Sequence, residues 1–208
     1  MLNNFSCGPI FFVCNPCEAG YICVIAWERL IKDDIFGWSI IDGYPPKIII
    51  KIGESEKGIL MKAMVYRGNR KLELEEVPNP VAGTKEVVIK VDYCGICATD
   101  IEEYLYGPNF IDAYEPNMVT GKKMPFITGH EITGTISEIG DETEKDLLGE
   151  RVVLDGILSC KKCSRCDAGH TSQCLLGMAA VGFACDGGLA EYIKWPSDQI
   201  IPLPNNVT

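Results

Sequence analysis

Hydrophobic and polar positions alternate in several short stretches of the chain, and this pattern predicts short β-strands. Glycine and proline residues separate the stretches, and Gly68 and Asn69 are expected to form a hairpin-type turn between the first two. Many short strands with such turns predict a mainly antiparallel β fold, either a barrel or a sandwich. The predicted strands are residues 62–66, 71–77, 86–93, 133–139, 151–154 and 187–193.

One segment, Ala98–Tyr106, is the clearest short helix in the sequence. Thr99 or Asp100 near its start is expected to serve as the N-cap, because hydroxyl and carboxylate oxygens accept hydrogen bonds from the free N–H groups of a first turn. The fold class that follows is mainly β with short helices.

The chain changes character near residue 60. Residues 1–60 contain scattered cysteines and apolar clusters without a clean period, whereas the sequence from Met61 onward is orderly. Cys14 and Cys17 have the spacing of half a metal site, but no partner pair lies near them, so we interpret the pair as incidental. Residues 56–61 would be encoded by a purine-rich stretch, a short spacer and a start codon, which is the order of a bacterial or archaeal ribosome-binding site before a gene. The hypothesis that follows is that residues 1–60 are an unassigned extension and that Met61 is the true start.

Composition narrows the class of protein. The 208 residues carry a net charge of −10, which argues against nucleic-acid binding because phosphate contacts need a positive surface. The first 27 residues hold one charged residue, Glu18, and no basic residue, so they lack the pattern of a secretory signal. Polar residues and proline interrupt the apolar ones there, which argues against a membrane span. Eleven cysteines without such a signal indicate a reducing compartment, and we expect a cytoplasmic protein that keeps its thiols for metal.

Four cysteines share one short polar loop, in the pattern C-x2-C-x2-C-x7-C. The loop has no apolar periodicity, so it is not expected to be a buried strand or helix that holds thiols for packing. A tetrahedral zinc ion takes thiolate ligands at about 2.3 Å, and a loop of this length can wrap around one. Disulfides and coincidence are the competing interpretations, and disulfides would need an oxidising compartment. The predicted ligands of a structural zinc are Cys160, Cys163, Cys166 and Cys174.

A second group of possible metal ligands lies upstream. Cys97 and Asp100 stand where the predicted helix begins, and His130 and Glu131 follow a proline-containing loop. Cysteine, histidine and carboxylate are the ligand types of a catalytic zinc that keeps an open position. Each residue alone has a plainer interpretation: a lone histidine is usually just hydrogen-bonded, and Cys94 and Cys97 have the spacing of a redox pair.

Together these motifs resemble those of the zinc-dependent medium-chain alcohol and polyol dehydrogenases. The matching stretches are CGICATD at 94–100, GHEITGTISEIG at 129–140, LGERVV at 148–153, the four-cysteine loop and GGLAEY at 187–192. They occur in the order of the family and cover residues 61–208 almost entirely. The loop after the predicted helix is most similar to the 2,3-butanediol, sorbitol and threonine dehydrogenases. The resemblance implies a GroES-like, partly open β-barrel with a zinc-binding loop, incomplete at its C-terminal end.

The resemblance also implies a role for each residue of the second group. Cys97 and His130 match the ligands of the catalytic zinc, and Glu131 matches a carboxylate behind the metal that can enter its coordination sphere. Asp100 matches the acid that hydrogen-bonds the ligand histidine. Thr99 matches the hydroxyl that takes the proton of the substrate alcohol. The zinc is expected to lower the pKa of that alcohol, and hydride then passes to a nicotinamide.

The implied protein is an oxidoreductase that interconverts a secondary alcohol or diol with its ketone. Its cofactors would be two zinc ions, one catalytic and one structural, and NAD or NADP. Its partners would be a small alcohol, diol or polyol and, at full length, further copies of itself. No G-x-G-x-x-G follows a strand in the sequence, and the third zinc ligand of the family would lie beyond Thr208. We therefore expect a catalytic-domain fragment that is inactive alone. The alternative is a stand-alone, zinc-stabilised module without catalysis.

The sequence leaves two points open: the route of the proton relay and the residues that line the substrate pocket. Many relatives have a histidine two residues after the aspartate of the motif, where this chain has Glu102, so the proton relay would run through Glu102 or through water. Four aromatic residues either line the pocket or pack in the core, and these are Tyr104, Tyr106, Phe110 and Tyr114.

Overall fold

The computed structural model describes residues 11–15, 47–51, 59–112 and 114–207 of the chain. The strands in this part are β1 (Phe11–Asn15), β2 (Lys47–Lys51), β3 (Leu60–Tyr66), β4 (Leu72–Pro78), β5 (Glu86–Ile96), β6 (Phe126–Ile127), β7 (Glu131–Ile139), β8 (Arg151–Leu154), β9 (Ile157–Leu158), β10 (Ala179–Ala180), β11 (Tyr192–Pro196) and β12 (Ile200–Pro202). The helices are α1 (Ala98–Tyr106) and α2 (Ser164–Asp167), with 3₁₀ turns at Lys145–Leu147, Thr171–Gln173 and Ser197–Gln199. Cys17 and residues 56–58 lie outside the described residues. The interpretations of the Cys14–Cys17 pair and of Met61 as the true start therefore stay predictions.

The 11-residue strand β5 is the centre of the main sheet. It pairs antiparallel with β7 on one edge, and on the other edge with β11 through its first half and with β2 through its second half. The sheet continues with β8 and β12 beyond β7, and with β1 beyond β2. Because β5 has hydrogen-bonded partners on both edges along most of its length, it fixes the position of the segment that follows it, which begins with Cys97.

A smaller antiparallel sheet has the order β4-β3-β6. Gly68 and Asn69 lie in the turn of the β3–β4 hairpin with φ of 79° and 49°, and the N–H of Arg67 donates to the carbonyl of Lys71 at 2.8 Å. This confirms the predicted turn, because glycine and asparagine tolerate positive φ better than other residues. The N–H of Met64 in β3 donates to the carbonyl of residue 189 at 2.8 Å, which joins this sheet to the segment leading into β11.

The main hydrophobic core packs against the faces of β5, β7, β8 and β11. Trp195 is 2% exposed, and its indole N–H donates to the carbonyl of Asp155 at 3.1 Å, so the polar atom of this large side chain is satisfied. Each fully buried aliphatic or aromatic side chain of such a core stabilises the fold by about 1.5–3 kcal/mol. The core members from these strands are Val87, Ile89, Cys94, Ile96, Ile132, Ile136, Val152, Leu154, Ile193 and Trp195.

The mainly β fold with short helices is confirmed, and the sheets stay open without closing into a barrel. Five of the six predicted strands correspond to β3, β4, β5, β7 and β8, and the predicted helix to α1. The strand predicted over residues 187–193 is wrong in its extent, because β11 begins only at Tyr192. None of the helices in the described ranges is long and apolar enough to cross a membrane.

Candidate metal centres

Two candidate ligands lie just beyond the same end of the β5–β7 ladder. Gly95 of β5 pairs with Glu131 of β7. Cys97 follows this rung by two residues on one strand, and His130 precedes it by one residue on the other. Antiparallel pairing therefore brings together two side chains that lie 33 positions apart in sequence.

Cys97 is the N-cap of α1. Its sulfur accepts the N–H of Thr99 at 3.3 Å, while its own N–H donates to Oδ2 of Asp100 at 3.0 Å, so both arms of a capping box are present. The expectation that Thr99 or Asp100 would be the cap is wrong. Cys97 has the extended backbone of a cap, with φ of −110° and ψ of 179°, whereas the two predicted residues already belong to the helix.

His130 lies between Cys97 and Asp100. Its Nε2 atom is 3.2 Å from the Cys97 sulfur, and its Nδ1 atom is 3.3 Å from Oδ1 of Asp100. The hydrogen bond with Asp100 is the largest cause that raises the pKa of His130 to about 9, against the opposing effect of burial. Because Asp100 contacts the nitrogen that faces away from Cys97, it orients the imidazole and leaves Nε2 for a metal.

The geometry of Cys97 and His130 fits a zinc ion. The ligand atoms of Cys97, Asp100 and His130 all lie within 4.8 Å of one another. Zinc bound tetrahedrally to sulfur at about 2.3 Å and to nitrogen at about 2.0–2.1 Å would separate these two atoms by roughly 3.6 Å. The observed 3.2 Å between sulfur and Nε2 needs an adjustment of only a few tenths of an ångström.

The other predicted residues of this site are placed differently. The exposed Glu131 is not part of the group of ligand atoms within 4.8 Å. Its carboxylate lies over Gly95, in the space that a side chain at that position would fill. Thr99 is partly buried in the first turn of α1, and Glu102 is exposed one turn later.

Glycines hold the loop that carries His130, and sequence reasoning missed this role. Gly129 has a φ of 90°, and a Cβ there would lie 2.6 Å from the Cys94 sulfur. The carbonyl oxygen of Gly129 accepts the N–H of Gly188 at 2.9 Å, and Gly187 packs on the same peptide so closely that no side chain would fit. The pair Gly187-Gly188 inside an otherwise strand-like stretch was the available signal, because glycine in such a stretch marks a close backbone approach.

An aromatic pair, Phe110 and Phe183, borders the imidazole. The ring centroids of Phe183 and His130 are 5.0 Å apart, and those of Phe110 and Phe183 are 5.9 Å apart at 66°. Phe183 is 8% exposed and was not predicted, whereas Phe110 is 57% exposed. Tyr104 is partly buried and packs against a core cluster, whereas Tyr106 and Tyr114 are largely exposed.

Cys94 belongs to the core. Its side chain is 1% exposed, and burial raises the pKa of its thiol well above the ordinary value. A reactive thiol needs an accessible sulfur and a lowered pKa. The structure therefore favours a packing role for Cys94 over a redox pair with Cys97.

The second centre is the four-cysteine loop. The sulfur atoms of its four cysteines lie within 4.8 Å of one another. Cys166 is 3.5 Å from Cys163 and 3.9 Å from Cys160, measured between sulfur atoms. These distances are far above the S–S bond length of about 2.05 Å and close to the edge of a tetrahedral zinc–thiolate site, about 3.8 Å. The geometry fits a zinc ion and not a pair of disulfides.

Backbone amides favour the thiolate form of two of the four cysteines in this loop, Cys163 and Cys174. The N–H of Leu175 donates to the Cys163 sulfur at 3.5 Å, and this bond, followed by one from the N–H of Cys166, lowers the pKa of Cys163 to about 6. The N–H of Cys160 lowers the pKa of Cys174 in the same way. Thiolate is the form that binds metal.

The sequence profile of the alcohol dehydrogenase GroES-like domain matches residues 83–205, more than half of the chain. The chain belongs to the alcohol dehydrogenase GroES-like domain family. This confirms the family expected from the motifs.

Curated relatives of this alcohol dehydrogenase domain include two kinds of enzyme. The (R,R)-butanediol dehydrogenase of Bacillus subtilis is 31% identical over 148 residues, which cover 71% of this chain and 42% of the relative. The L-threonine 3-dehydrogenase of Xanthomonas axonopodis pv. citri is 32% identical over 148 residues, which cover 71% and 41%. The chain thus spans about two-fifths of the length of these relatives.

Solved structures agree with this assignment. The crystal structure of the 2R,3R-butanediol dehydrogenase from Bacillus subtilis matches with a TM-score of 0.65 at 31% identity, covering 71% of this chain and 42% of the other. A zinc-binding dehydrogenase from Sinorhizobium meliloti, solved with NADP, matches with a TM-score of 0.60 at 28% identity, covering 72% and 40%. An alcohol dehydrogenase from Pyrobaculum aerophilum, solved with cobalt and zinc, gives 0.58 at 27%, covering 72% and 43%.

Proposed function

We propose that residues 61–208 are the zinc-binding catalytic domain of an NAD(P)-dependent dehydrogenase that interconverts a secondary alcohol or diol with its ketone. The observation that carries the proposal is the placement of Cys97 and His130, 3.2 Å apart between sulfur and Nε2, with Asp100 on the far nitrogen of the imidazole. A purely structural metal site would be closed by four protein ligands, whereas a catalytic site keeps a position for substrate.

The similarity to relatives supports the substrate class and the cofactor. The relatives include butanediol and threonine dehydrogenases, and one similar structure was solved with NADP and another with NADH. Because the domain spans about two-fifths of these proteins, we place the nicotinamide site in a part of the protein outside these 208 residues. When bound, zinc would supply Lewis acidity at the alcohol oxygen, and the nicotinamide would supply a hydride acceptor.

Asp100 and His130 have complementary tasks in this proposal. The Asp100 carboxylate accepts the Nδ1 proton, which fixes the tautomer and leaves the Nε2 lone pair directed toward the Cys97 sulfur. Asp100 also accepts the N–H of Cys97, so one carboxylate fixes both candidate ligands. The Glu131 carboxylate, on the neighbouring rung, would serve as a carboxylate behind the metal.

Thr99 and Glu102 offer a route for the substrate proton. They lie three positions apart on α1 and therefore on the same face of the helix. Thr99 is partly buried beside the Cys97 sulfur, and Glu102 is exposed to solvent. In the proposed route the Thr99 hydroxyl accepts the proton of the alcohol, and Glu102 or water passes it to bulk solvent.

The four-cysteine loop would hold the second, structural zinc ion. Its four sulfur atoms close the coordination sphere, so the ion would stabilise the loop and would not meet substrate. Lys161 in this loop forms an ion pair of 2.6 Å with Asp198, which ties the loop to the segment before β12.

Metal analysis of the purified chain tests the two sites separately. We expect two zinc ions per wild-type chain, one in the Cys97→Ser variant and one in the Cys163→Ser variant. Mass spectrometry of the dialysed proteins gives the count. The same zinc content in wild type and Cys97→Ser would remove the catalytic site, and with it the proposed reaction.

Activity is assayed on the complete gene product by following NAD(P)H formation with secondary alcohols and vicinal diols. We expect turnover that is abolished by His130→Ala while the zinc of the four-cysteine loop is retained. Full activity in that variant would take His130 out of the reaction. The 208-residue chain assayed alone is expected to show no turnover.

Two observations favour the second candidate, a zinc-stabilised module without catalysis. The exposed Glu131 lies outside the group of ligand atoms, and Glu102 replaces the histidine that serves the relay in many relatives. A complete gene product that binds both zinc ions and yet reduces neither NAD nor NADP with any of these alcohols would favour this module.

A further inference from the structure

A buried carboxylate in the middle of α1 has no part in the chemistry described so far. Glu103 is only 2% exposed. Burying a carboxylate is costly unless hydrogen bonds or an opposite charge offset the loss of solvent. Within the part of the chain that the structure describes, its carboxylate has no ion pair with Lys or Arg, and its donors are main-chain amides. A leucine or methionine would fill the space at a lower cost, so the charge indicates a geometric task.

The carboxylate holds the loop that leaves α1. The N–H of Asn109 lies 3.2 Å and 3.0 Å from its two oxygens, and the N–H of Phe110 donates to one of them at 2.8 Å. The main-chain carbonyl of Glu103 accepts the N–H of Gly107 at 2.9 Å and the hydroxyl of Tyr66 at 2.7 Å. A Cβ on Gly107 would lie 2.6 Å from a carboxylate oxygen of Glu103, so the chain turns closely around this side chain.

This loop presents one ring of the aromatic pair. Because Glu103 fixes the backbone at Phe110, it fixes the position from which the Phe110 ring contacts Phe183, at 5.9 Å between centroids. Phe183 in turn contacts the ring of His130 at 5.0 Å. The next residue, Ile111, is 2% exposed and packs in the same cluster as Phe183, which anchors the loop from its other side.

We propose that Glu103 is a positioning residue of the candidate catalytic metal site, which acts by holding Phe110 and Phe183 against His130. Helix α1 then reaches the imidazole by two routes: Asp100 binds its Nδ1 atom, and Glu103 supports the ring through the aromatic pair. This inference rests on the proposed function, because it assigns a task at the same site.

The variant Glu103→Gln tests the hydrogen bonds of the carboxylate without changing the size of the side chain. The amide keeps the volume of the side chain, but its NH₂ group would face a main-chain N–H in place of an acceptor oxygen. Both loop amides share one oxygen of Glu103, and the N–H of Asn109 also faces the other. Whichever way the Gln amide turns, its NH₂ group therefore meets the N–H of Asn109, alone or together with that of Phe110, and the loop loosens. The matched control is Glu115→Gln, which removes the same charge from an exposed position on the same connection between α1 and β6.

The experiment is a Co²⁺ titration of the purified 208-residue chain with zinc retained in the four-cysteine loop. Co²⁺ bound by thiolate and imidazole absorbs visible light, and Cys97→Ser identifies the bands that belong to the candidate catalytic site. For Glu103→Gln we expect about tenfold weaker Co²⁺ binding and altered visible bands, with the retained zinc unchanged. Glu115→Gln should behave as wild type.

The outcomes separate the two proposals. Cys97-dependent bands in wild type that stay the same, in affinity and shape, in Glu103→Gln would overturn the role of Glu103 and leave the metal site intact. If wild type gives no Cys97-dependent bands, the metal site itself is wrong, and the role of Glu103 falls with it. If Glu103→Gln does not fold, Phe110→Leu is measured in its place. This variant keeps the hydrogen bonds from Glu103 to the loop and removes only the aromatic ring. Wild-type bands and affinity in Phe110→Leu would then overturn the proposal.

Discussion

Asp100 holds the imidazole of His130 by the nitrogen that faces away from Cys97, at 3.3 Å, and the same carboxylate accepts the N–H of Cys97. One side chain thus fixes the helix cap and the candidate ligand together. The relationship has an electrostatic consequence, because the Asp100 hydrogen bond is the largest of the causes that raise the pKa of His130 to about 9.

The first prediction concerns pH. In metal-free protein, Asp100→Asn should lower the pKa of His130, since the amide cannot stabilise the imidazolium as the carboxylate does. A raised pKa in the folded state stabilises the fold fully below the unfolded value of 6.5, and this contribution disappears as pH rises through about 9. The stability advantage of wild type over Asp100→Asn should therefore shrink between these two pH values.

NMR titration of the His130 ring and urea unfolding at several pH values measure the two effects. Asp146→Asn serves as the control, because it removes a carboxylate from an exposed position outside the site. An equal His130 pKa in wild type and Asp100→Asn would contradict the assigned hydrogen bond.

The second prediction concerns the proton route. In the complete gene product, Thr99→Val should lower kcat/KM by about a hundredfold or more, because the hydroxyl proposed to accept the proton is lost while the size of the side chain is kept. Zinc content should not change. Thr99→Ser keeps the hydroxyl and should retain most of the activity, and a Thr99→Val protein as active as Thr99→Ser would exclude this hydroxyl from the route.

The third prediction concerns the loop before His130. Gly129→Ala should reduce the free energy of unfolding by about 1–3 kcal/mol more than Gly149→Ala does. Both glycines have nearly the same φ, 90° and 87°, so the backbone strain of an alanine is matched. A Cβ at Gly129 meets Cys94 and Leu189 within 3 Å, whereas one at Gly149 meets nothing within 4 Å. Urea unfolding measures the difference. Equal losses of unfolding free energy in the two variants would show that close packing at Gly129 does not affect stability.

The fourth prediction concerns the four-cysteine loop. Cys163→Ser should lose the structural zinc and lower the melting temperature strongly, since metal-binding free energy at such a site is also folding free energy. Ser172→Ala, an exposed change in the same loop, should alter neither property. Zinc analysis and thermal unfolding give the result, and a variant with wild-type zinc content and melting temperature would refute the ligand assignment.

Local signals made much of the fold predictable. The alternation in residues 86–93, the glycine–asparagine turn at 68–69 and the helix Ala98–Tyr106 all depend on neighbours in sequence, and all three appear in the structure. The strand predicted from residue 187 failed because Gly187 and Gly188 pack against the peptide of Gly129, a contact between distant segments. Hydrophobic alternation alone does not report such a contact.

The residue types of the candidate metal ligands were predictable from the sequence, but the residues that hold those ligands in place were not. Cysteine spacing and the family motifs indicated both sets of metal ligands. Neither Phe183 nor Glu103 was assigned a role at the site, because an isolated phenylalanine and a glutamate in a helix have no local signature of what they contact. The role of Glu131 stays a prediction: the motif points to the metal, while its carboxylate lies over Gly95, outside the group of ligand atoms.

The rung between Gly95 and Glu131 brings Cys97 and His130 together at one end of the β5–β7 ladder. The side chains that hold these candidate ligands, Asp100 and Glu103, both lie in α1 near the start of the connection between them. Residues 114–123, later in the same connection, are mostly exposed. Changes of sequence or length there would leave α1 and both candidate ligands in place, so a lineage built on this scaffold could exchange that surface while it inherits the candidate metal site unchanged.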